Sequence, residues 1–195
     1  MPVRPAANAE KTRANLVRHA RRLFARGGQR AVGVIEVSKA AKVTTGALYH
    51  HFENRQALLR AVLEDVAQSV ADRAAQAMAR HTDPWARLEA GIEAVLDLCL
   101  EPDVRLAYNE ASAILGLEAW RQLEEAKTGA LLAQALATVA ATGQLPRVSL
   151  ELLASMVKGA LVEAAMAITR SKTPKKMRAE AGAMVRGLSL ALRTR

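Results

Sequence analysis

The sequence predicts an all-α protein built from nine helices, and three of its properties lead to this prediction. Hydrophobic residues make up 51% of the 195-residue chain but aromatic residues only 3%, and alanine and leucine dominate, which favours helices over strands. Apolar residues recur at spacings of three and four between residues that typically start or end helices. The predicted loops are short, so we expect the helices to form one bundle without a long linker.

The segment between Val34 and Phe52 predicts two short helices joined by a tight turn. Apolar residues give the first of them one buried face, and Thr44 can cap the second by accepting a backbone N–H bond. Val43 and Leu48 are spaced as a hydrophobic staple across that cap. The rest of the second helix suits contacts with phosphates and base edges, through hydroxyls, a glycine and ring donors: Thr44, Thr45, Gly46, Tyr49 and His50. This is the arrangement of a DNA-reading helix-turn-helix.

The run TTGALYHHF followed by ENRQALLRAV resembles the DNA-binding domain of the tetracycline-repressor (TetR) family of bacterial one-component transcriptional regulators. The resemblance includes the upstream helix that ends in LFARGG, and AILGLEAWRQL is similar to one branch of the family. Two positions depart from the family pattern. Lys42 stands where the turn usually carries glycine, and His19 stands where a small residue is usual.

The resemblance implies that the chain has a DNA-binding part and a regulatory part. Residues 10–54 correspond to the three-helix DNA-binding domain, and residues 55–195 to a helical effector-binding and dimerisation domain. Residues 1–9 carry two prolines and little periodicity, so we expect them to form a disordered arm.

The resemblance also implies roles in DNA binding for individual residues. Thr44, Thr45 and Gly46 lie at the N-terminus of the recognition helix, where base edges are reached. Tyr49 and His50 resemble a phosphate-contacting pair. Arg55 stands where the family commonly has a lysine that touches a phosphate.

The formal net charge of +9 is confined to the segment that carries the helix-turn-helix. Residues 1–60 contain 12 Lys/Arg and 3 Asp/Glu, whereas residues 61–195 contain 16 of each. This polarity indicates a directed anionic partner. The single cysteine, Cys99, excludes an intrachain disulfide, and no apolar run approaches membrane-spanning length. We therefore expect a cytoplasmic protein that does not enter a membrane.

Caps and helix breakers predict the remaining helix boundaries. Asp83-Pro84 and Thr173-Pro174 are start signals, Asn54 and Ser149 are caps, and Gly27-Gly28 and Gly143 end helices. The predicted helices outside the helix-turn-helix are residues 10–27, 55–80, 84–101, 102–116, 117–142, 150–170 and 174 to near the end.

The last two predicted helices carry long apolar stripes, and the resemblance implies that they form a four-helix dimer interface with a second copy. The predicted interface residues are Leu150, Leu153, Val157, Leu161, Ala164, Ile168, Met177, Ala181, Met184, Val185, Leu188 and Leu192. Ordinary core packing is the alternative for such stripes.

A ligand pocket would lie within the predicted fifth to eighth helices, where aromatic walls and scattered polar atoms occur in an apolar setting. Its predicted lining is Trp85, Leu96, Tyr108, Asn109, Ser112, Trp120, Lys127 and Glu163. The alternative for both tryptophans is packing in the core, and the alternative for Glu163 is a position that faces water.

These observations favour a homodimeric transcriptional repressor that a small apolar or aromatic effector releases from palindromic double-stranded DNA. One alternative is a helical enzyme or carrier for small apolar compounds whose basic end is incidental. The sequence offers no nucleophile–base pair, metal-ligand cluster or Gly-rich phosphate loop, so we predict neither catalysis nor a cofactor. The other alternative is a constitutive DNA-binding protein without an effector.

Overall fold

Helices are the only regular elements in the computed structural model, which describes residues 5–145 and 148–193. The helices, in chain order, are α1 (Pro5–Gly27), α2 (Val34–Ala41), α3 (Thr45–His51), α4 (Arg55–Met78), α5 (Pro84–Leu98), α6 (Pro102–Leu115), α7 (Leu117–Glu124), α8 (Ala130–Ala140), α9 (Leu150–Arg170) and α10 (Pro174–Leu192). A 3-10 turn, Gly28–Ala31, follows α1, and a π turn, Glu125–Gly129, joins α7 to α8.

The all-α prediction is confirmed within the described residues, with two changes. The first helix begins at Pro5, so residues 5–9 are helical and not part of a disordered arm. The remaining residues of the predicted arm, 1–4, lie outside the described residues. The helix predicted over residues 117–142 contains the π turn, which divides it into α7 and α8 without ending it.

Four side-chain caps fix where helices begin, as the sequence predicts. The side-chain oxygens of Thr44, Asn54, Asp83 and Ser149 each accept a hydrogen bond from the backbone N–H three residues later. These bonds are 2.8–3.3 Å long and satisfy N–H groups that the helix itself leaves without a partner.

Two apolar clusters form the interior. The first draws its buried side chains from α1, α2 and α3, the first two-thirds of α4, and α6, and it includes Trp120. The second lies between the end of α4, α5, α8, α9 and α10. Because α4 contributes to both clusters, it is a packed connection between the helix-turn-helix and the rest of the bundle.

Ion pairs join α1 to α4 and α6. The Arg21 guanidinium on α1 lies 2.7 Å from the Asp103 carboxylate on α6 and 2.8 Å from the Asp65 carboxylate on α4. The three side chains are only partly exposed, so their attraction is screened less than that of a surface pair. Arg21 is therefore committed to the structure, although it belongs to the basic run of α1.

Helix α9 is long and apolar enough to cross a membrane by length and composition, with a mean hydropathy of 1.5 over its most apolar window. This corrects the expectation that no apolar run approaches that length. The helix contains Glu151, Lys158 and Glu163, and it packs against α5, α6, α8 and α10. Only 22% of the apolar window is buried within the chain, which leaves an apolar face uncovered.

Candidate nucleic-acid interface and ligand cavity

The second helix of the helix-turn-helix is anchored by few apolar residues. Leu48 of α3 is completely buried and Phe52, which ends the helix, is 3% exposed; both belong to the first apolar cluster. The five residues predicted to face a partner are all exposed: Thr44, Thr45, Gly46, Tyr49 and His50. Packing on one side therefore leaves the hydroxyls, the ring donors and a bare stretch of backbone on the other.

The turn between α2 and α3 carries a strained residue. Lys42 adopts the left-handed conformation, with φ 57° and ψ 42°, and is the only non-glycine residue with a positive φ in the described chain. Glycine adopts this conformation without steric cost, which explains why a glycine is usual here. The turn keeps its geometry because the backbone N–H groups of Lys42 and Val43 donate to carbonyls of α2.

Arg55, predicted as a phosphate contact, is occupied within the fold. Its guanidinium donates to the backbone carbonyl of Val32 at 2.8 Å and also to that of Gln29. Both carbonyls follow the end of α1, so Arg55 holds the start of α4 against the loop that precedes α2. The structure thus gives Arg55 a positioning role, and its predicted phosphate contact stays a prediction.

A second contact holds the same turn from the regulatory side. The Glu110 carboxylate on α6 accepts a hydrogen bond from the backbone N–H of Gln29 at 2.6 Å. Gly28 makes this approach possible, because its φ is +63° and a Cβ there would collide with that carboxylate. Sequence reasoning missed Glu110, since no local pattern connects it to a turn 81 residues earlier.

Basic side chains are exposed on the two helices that pack against α3 and in the turn before it. Lys11, Arg13, Arg18, Arg22, Arg26, Lys39 and Lys42 are all exposed, on α1, on α2 or in the turn. The Arg13 guanidinium lies 5.1 Å from the centre of the Phe52 ring, which places a fixed positive charge beside the end of α3.

A cavity of about 380 Å³ lies in the second half of the molecule. Its walls come from the end of α4, from α5, Tyr108 of α6, the π turn and its flanking helices, and α9. Most of the lining is apolar: Ala74, Met78, Leu88, Ile92, Val95, Leu131, Leu132, Ala135, Leu161 and Val162. The volume is within the range of small-molecule sites.

The structure brings two of the eight predicted pocket residues, Tyr108 and Glu163, to this cavity. Trp85 and Leu96 are buried in the second cluster instead, because their helix turns them away from the cavity. Trp120 packs in the first cluster with its ring edge-on to Tyr108, the two ring centres 5.7 Å apart.

The three predicted polar residues also lie elsewhere. Asn109 and Ser112 are on the exposed side of α6, and the Asn109 amide donates to the carbonyl of Thr169 at 3.5 Å. Lys127 belongs to the π turn but does not line the cavity. Helical residues that differ by one or two positions point in different directions, so a correct segment does not give a correct lining residue.

The polar lining that sequence reasoning missed consists of Arg121, Glu124, Glu125, Thr128 and Lys158. A signal for it existed, because residues 121, 124, 125 and 128 are spaced by three and four and hence share one helix face. Lys158 of α9 forms an ion pair with Glu125 across the cavity wall. Arg121 and Glu163 are exposed, whereas Glu124 is half-buried.

Burial changes the protonation of the cavity wall. It raises the pKa of Glu124 to about 7, although a hydrogen bond from Tyr108 and the charge of Lys158 oppose the shift. The pKa of Tyr108 is raised well above its ordinary value by burial and by the Glu124 carboxylate. Burial also raises the pKa of the Cys99 thiol to about 12, so this thiol is unreactive. In the described residues no group of three or more His, Cys, Asp or Glu could hold a metal ion.

The residues predicted for the dimer interface fall into two groups. Leu153, Ile168 and Ala181 are buried within the chain, at 7%, 0% and 8% exposure, so the structure assigns them to its own core. The others are exposed or half-buried: Leu150, Val157, Leu161, Ala164, Met177, Met184, Val185, Leu188 and Leu192. Among these, Leu161 lines the cavity.

The uncovered apolar face of α9 is formed by residues that neighbour the predicted stripe and do not belong to it. Leu152 and Met156 are 59% and 65% exposed, and on α10 Met184 and Leu188 are 70% and 54% exposed. Gly159 of α9 is also exposed, and a side chain added there would meet nothing within 4 Å. Sequence reasoning missed Leu152 and Met156 because α9 is apolar on several sides.

Comparison with known proteins agrees with both halves of this description. Residues 16–62 match the family "Bacterial regulatory proteins, tetR family", and residues 85–192 match "Tetracyclin repressor-like, C-terminal domain". The Transposon Tn10 TetC protein of Escherichia coli is 34% identical over 119 residues, which cover 60% of this chain and 58% of that protein. This match thus spans less than two thirds of the relative's length.

Solved structures extend the likeness over the whole chain. A TetR-family transcriptional regulator from Pectobacterium atrosepticum has a TM-score of 0.83 and 26% identity, covering 100% of this chain and 99% of its own. RolR, solved in complex with resorcinol, shares the fold at a TM-score of 0.67 and 24% identity, with coverage of 97% and 96%. The second family match alone includes more than half of the residues. The chain therefore belongs to the TetR family of DNA-binding transcriptional regulators.

Proposed function

We propose that the protein is a cytoplasmic, homodimeric repressor that reads a palindromic operator and leaves it when a small molecule fills the cavity. The observation that carries the proposal is α3, which with its cap residue buries Leu48 and Phe52 and exposes Thr45, Tyr49 and His50. A helix with this division presents its polar N-terminal half to the major groove.

In this proposal Thr44, Thr45 and Gly46 approach base edges, while Tyr49 and His50 contact phosphates. The exposed basic residues of α1 and α2 supply the sequence-independent part of the affinity. Arg55 acts indirectly, because its bonds to backbone carbonyls set the position of α4 relative to the helix-turn-helix.

A second copy would cover the apolar face of α9 and α10. An isologous contact places Met156 and Leu188 of each copy in one four-helix interface and lets the glycine-containing stretch of α9 approach its partner closely. Such a dimer brings two copies of α3 to successive major grooves, which explains why the operator should be a palindrome.

The cavity supports the release of DNA by a ligand. Ala74 and Met78 at the end of α4 line it, while the first turns of the same helix pack beneath the helix-turn-helix. A ligand that favours one position of α4 therefore changes the spacing of the two reading helices. RolR, a protein of this fold, holds resorcinol in its structure, which is consistent with a small aromatic ligand here.

The proposal is tested by measuring the affinity for duplex fragments that flank the gene, by fluorescence anisotropy at several salt concentrations. We expect affinity to fall steeply as salt rises, since neutralising several phosphates releases counterions. Tyr49→Ala should weaken binding to all sequences alike, whereas Thr45→Ala should change the preference among operator variants.

Thr138→Ala is the matched control, because Thr138 is an exposed threonine on α8, far from α3 along the chain. It should leave both affinity and preference unchanged. Affinity that does not depend on salt, or that Tyr49→Ala leaves unchanged, would contradict the assignment of this surface to DNA.

A further inference from the structure

One carboxylate in the cavity wall has no basic partner. Among residues 5–145 and 148–193, Glu124 forms no ion pair, whereas its neighbour Glu125 is paired with Lys158. Glu124 ends α7 immediately before the π turn and lines the cavity together with Tyr108, whose hydroxyl is its hydrogen-bonding partner. This end of the cavity therefore holds an acidic group that forms no ion pair within the described residues.

The other charges of the cavity compensate for it only in part, since Lys158 acts on Glu124 without pairing with it. Lys158 is engaged by Glu125, and the two remaining charged residues, Arg121 and Glu163, are exposed and opposite in sign. From α4, the apolar Val66 and Val70 line a small neighbouring cavity together with Glu124. A ligand that enters this cavity therefore meets apolar walls and one half-buried acidic group without an ion-pair partner among the described residues.

We propose that the cavity binds an organic cation: a small apolar body that carries one ammonium group, with this group next to the Glu124 carboxylate. The apolar body packs against Met78, Ile92 and Leu132, which line the cavity. Burial makes the lone carboxylate unfavourable, and a cation in contact with it removes that cost. The Tyr108 ring adds a face that attracts a cation. The inference gives the class of ligand that the proposed repressor binds. It rests on the proposed function only for the effect of this ligand on operator binding.

The test uses two probes of the same shape, phenyltrimethylammonium and tert-butylbenzene, which differ in charge. Binding of each to the protein without DNA is measured by tryptophan fluorescence and by calorimetry, with Trp120 as a reporter beside Tyr108. We expect the cation to bind more tightly than its neutral analogue. Glu124→Gln should weaken binding of the cation about tenfold or more and leave tert-butylbenzene unchanged.

Glu118→Gln is the matched control, because Glu118 is an exposed glutamate on the same helix that does not line the cavity. It should affect neither probe. Circular dichroism and thermal unfolding of both variants show that they are folded. Glutamine has nearly the same shape as glutamate, so a loss that is specific to the cation reports on charge.

The pH dependence gives an independent readout, since phenyltrimethylammonium keeps its charge at every pH. The pKa of Glu124 is about 7, so the anionic fraction rises about tenfold between pH 6 and pH 8, and affinity for the cation should rise with it. The pKa values of Tyr108 and Cys99, the other acids near Glu124, are raised out of this range. Glu124→Gln should make the affinity independent of pH.

The inference is overturned if tert-butylbenzene binds as tightly as the cation, if Glu124→Gln weakens both probes equally, or if the cation shows no saturable binding. None of these results concerns DNA. Failure of the proposed repressor function would appear instead as weak, salt-independent operator binding in the absence of any probe.

Discussion

Single residues in this protein serve either the reading surface or the contacts that position it. Thr44 does both, because its hydroxyl caps α3 by accepting from the N–H of Ala47 at 3.1 Å while its side chain stays exposed. Arg55 makes contacts of the second class. Family position alone suggested a phosphate contact for Arg55, and only the tertiary contacts distinguish the two roles.

Lys42 permits a prediction about stability at the residue scale. Its left-handed backbone is strained for any residue with a Cβ, so Lys42→Gly should raise the free energy of unfolding by about 1 kcal/mol. Chemical denaturation measures this change, and Lys39→Gly is the control. Lys39 lies within α2, where glycine should destabilise by about 1 kcal/mol. A loss of stability with Lys42→Gly would show that the turn is not strained.

At the scale of helices, the sequence predicts correctly those features that depend only on neighbouring residues, such as where a helix begins. Caps at Thr44, Asn54, Asp83 and Ser149 set helix starts correctly because each cap involves only the next three residues. The facing of side chains was predicted less well. Helix α9 is apolar on several sides, so the spacing of its apolar residues does not distinguish the face that is buried in the chain from the face that is exposed.

The exposed row of α9 and α10 leads to a prediction about assembly. Met156→Glu places a carboxylate on each side of the proposed two-fold interface, and the dimer dissociation constant should increase at least about 100-fold. Sedimentation at several protein concentrations measures this constant. Operator affinity should fall in parallel, because one short helix makes few contacts.

The control for this substitution is Leu117→Glu, which exchanges an equally exposed leucine on α7 for the same charge. It should leave the dimer intact. Leu161→Glu, which the sequence alone would suggest, is less informative because Leu161 lines the ligand cavity. A monomeric wild type that binds a palindrome tightly would contradict the interface.

At the scale of the whole molecule, the two apolar clusters explain how distant sites can influence each other. The first cluster joins the helix-turn-helix to α6 and Trp120, and the second surrounds the cavity. Helix α4 belongs to both, and the bond from Gln29 to Glu110 adds a second connection. The cavity lining was mostly unpredictable from sequence, because it depends on how α4, α5, α8 and α9 pack together.

This connection predicts reciprocal linkage between ligand and operator. A ligand that fills the cavity should weaken operator binding about 5–150-fold, and operator should weaken ligand binding by the same factor. Fluorescence titrations with and without operator DNA measure both factors. Equal ligand affinity for the free and the DNA-bound protein would show that the cavity is not coupled to α3.

The order of the elements along the chain also has a consequence for synthesis. The helix-turn-helix is complete by residue 52, whereas the apolar face of α9 and α10 is made more than 100 residues later. At usual rates of translation, the reading unit therefore emerges about 5–20 s before the interface. If the protein acts as proposed, a nascent chain has during that interval one reading helix and cannot yet dimerise, so unfinished chains should occupy the operator only weakly.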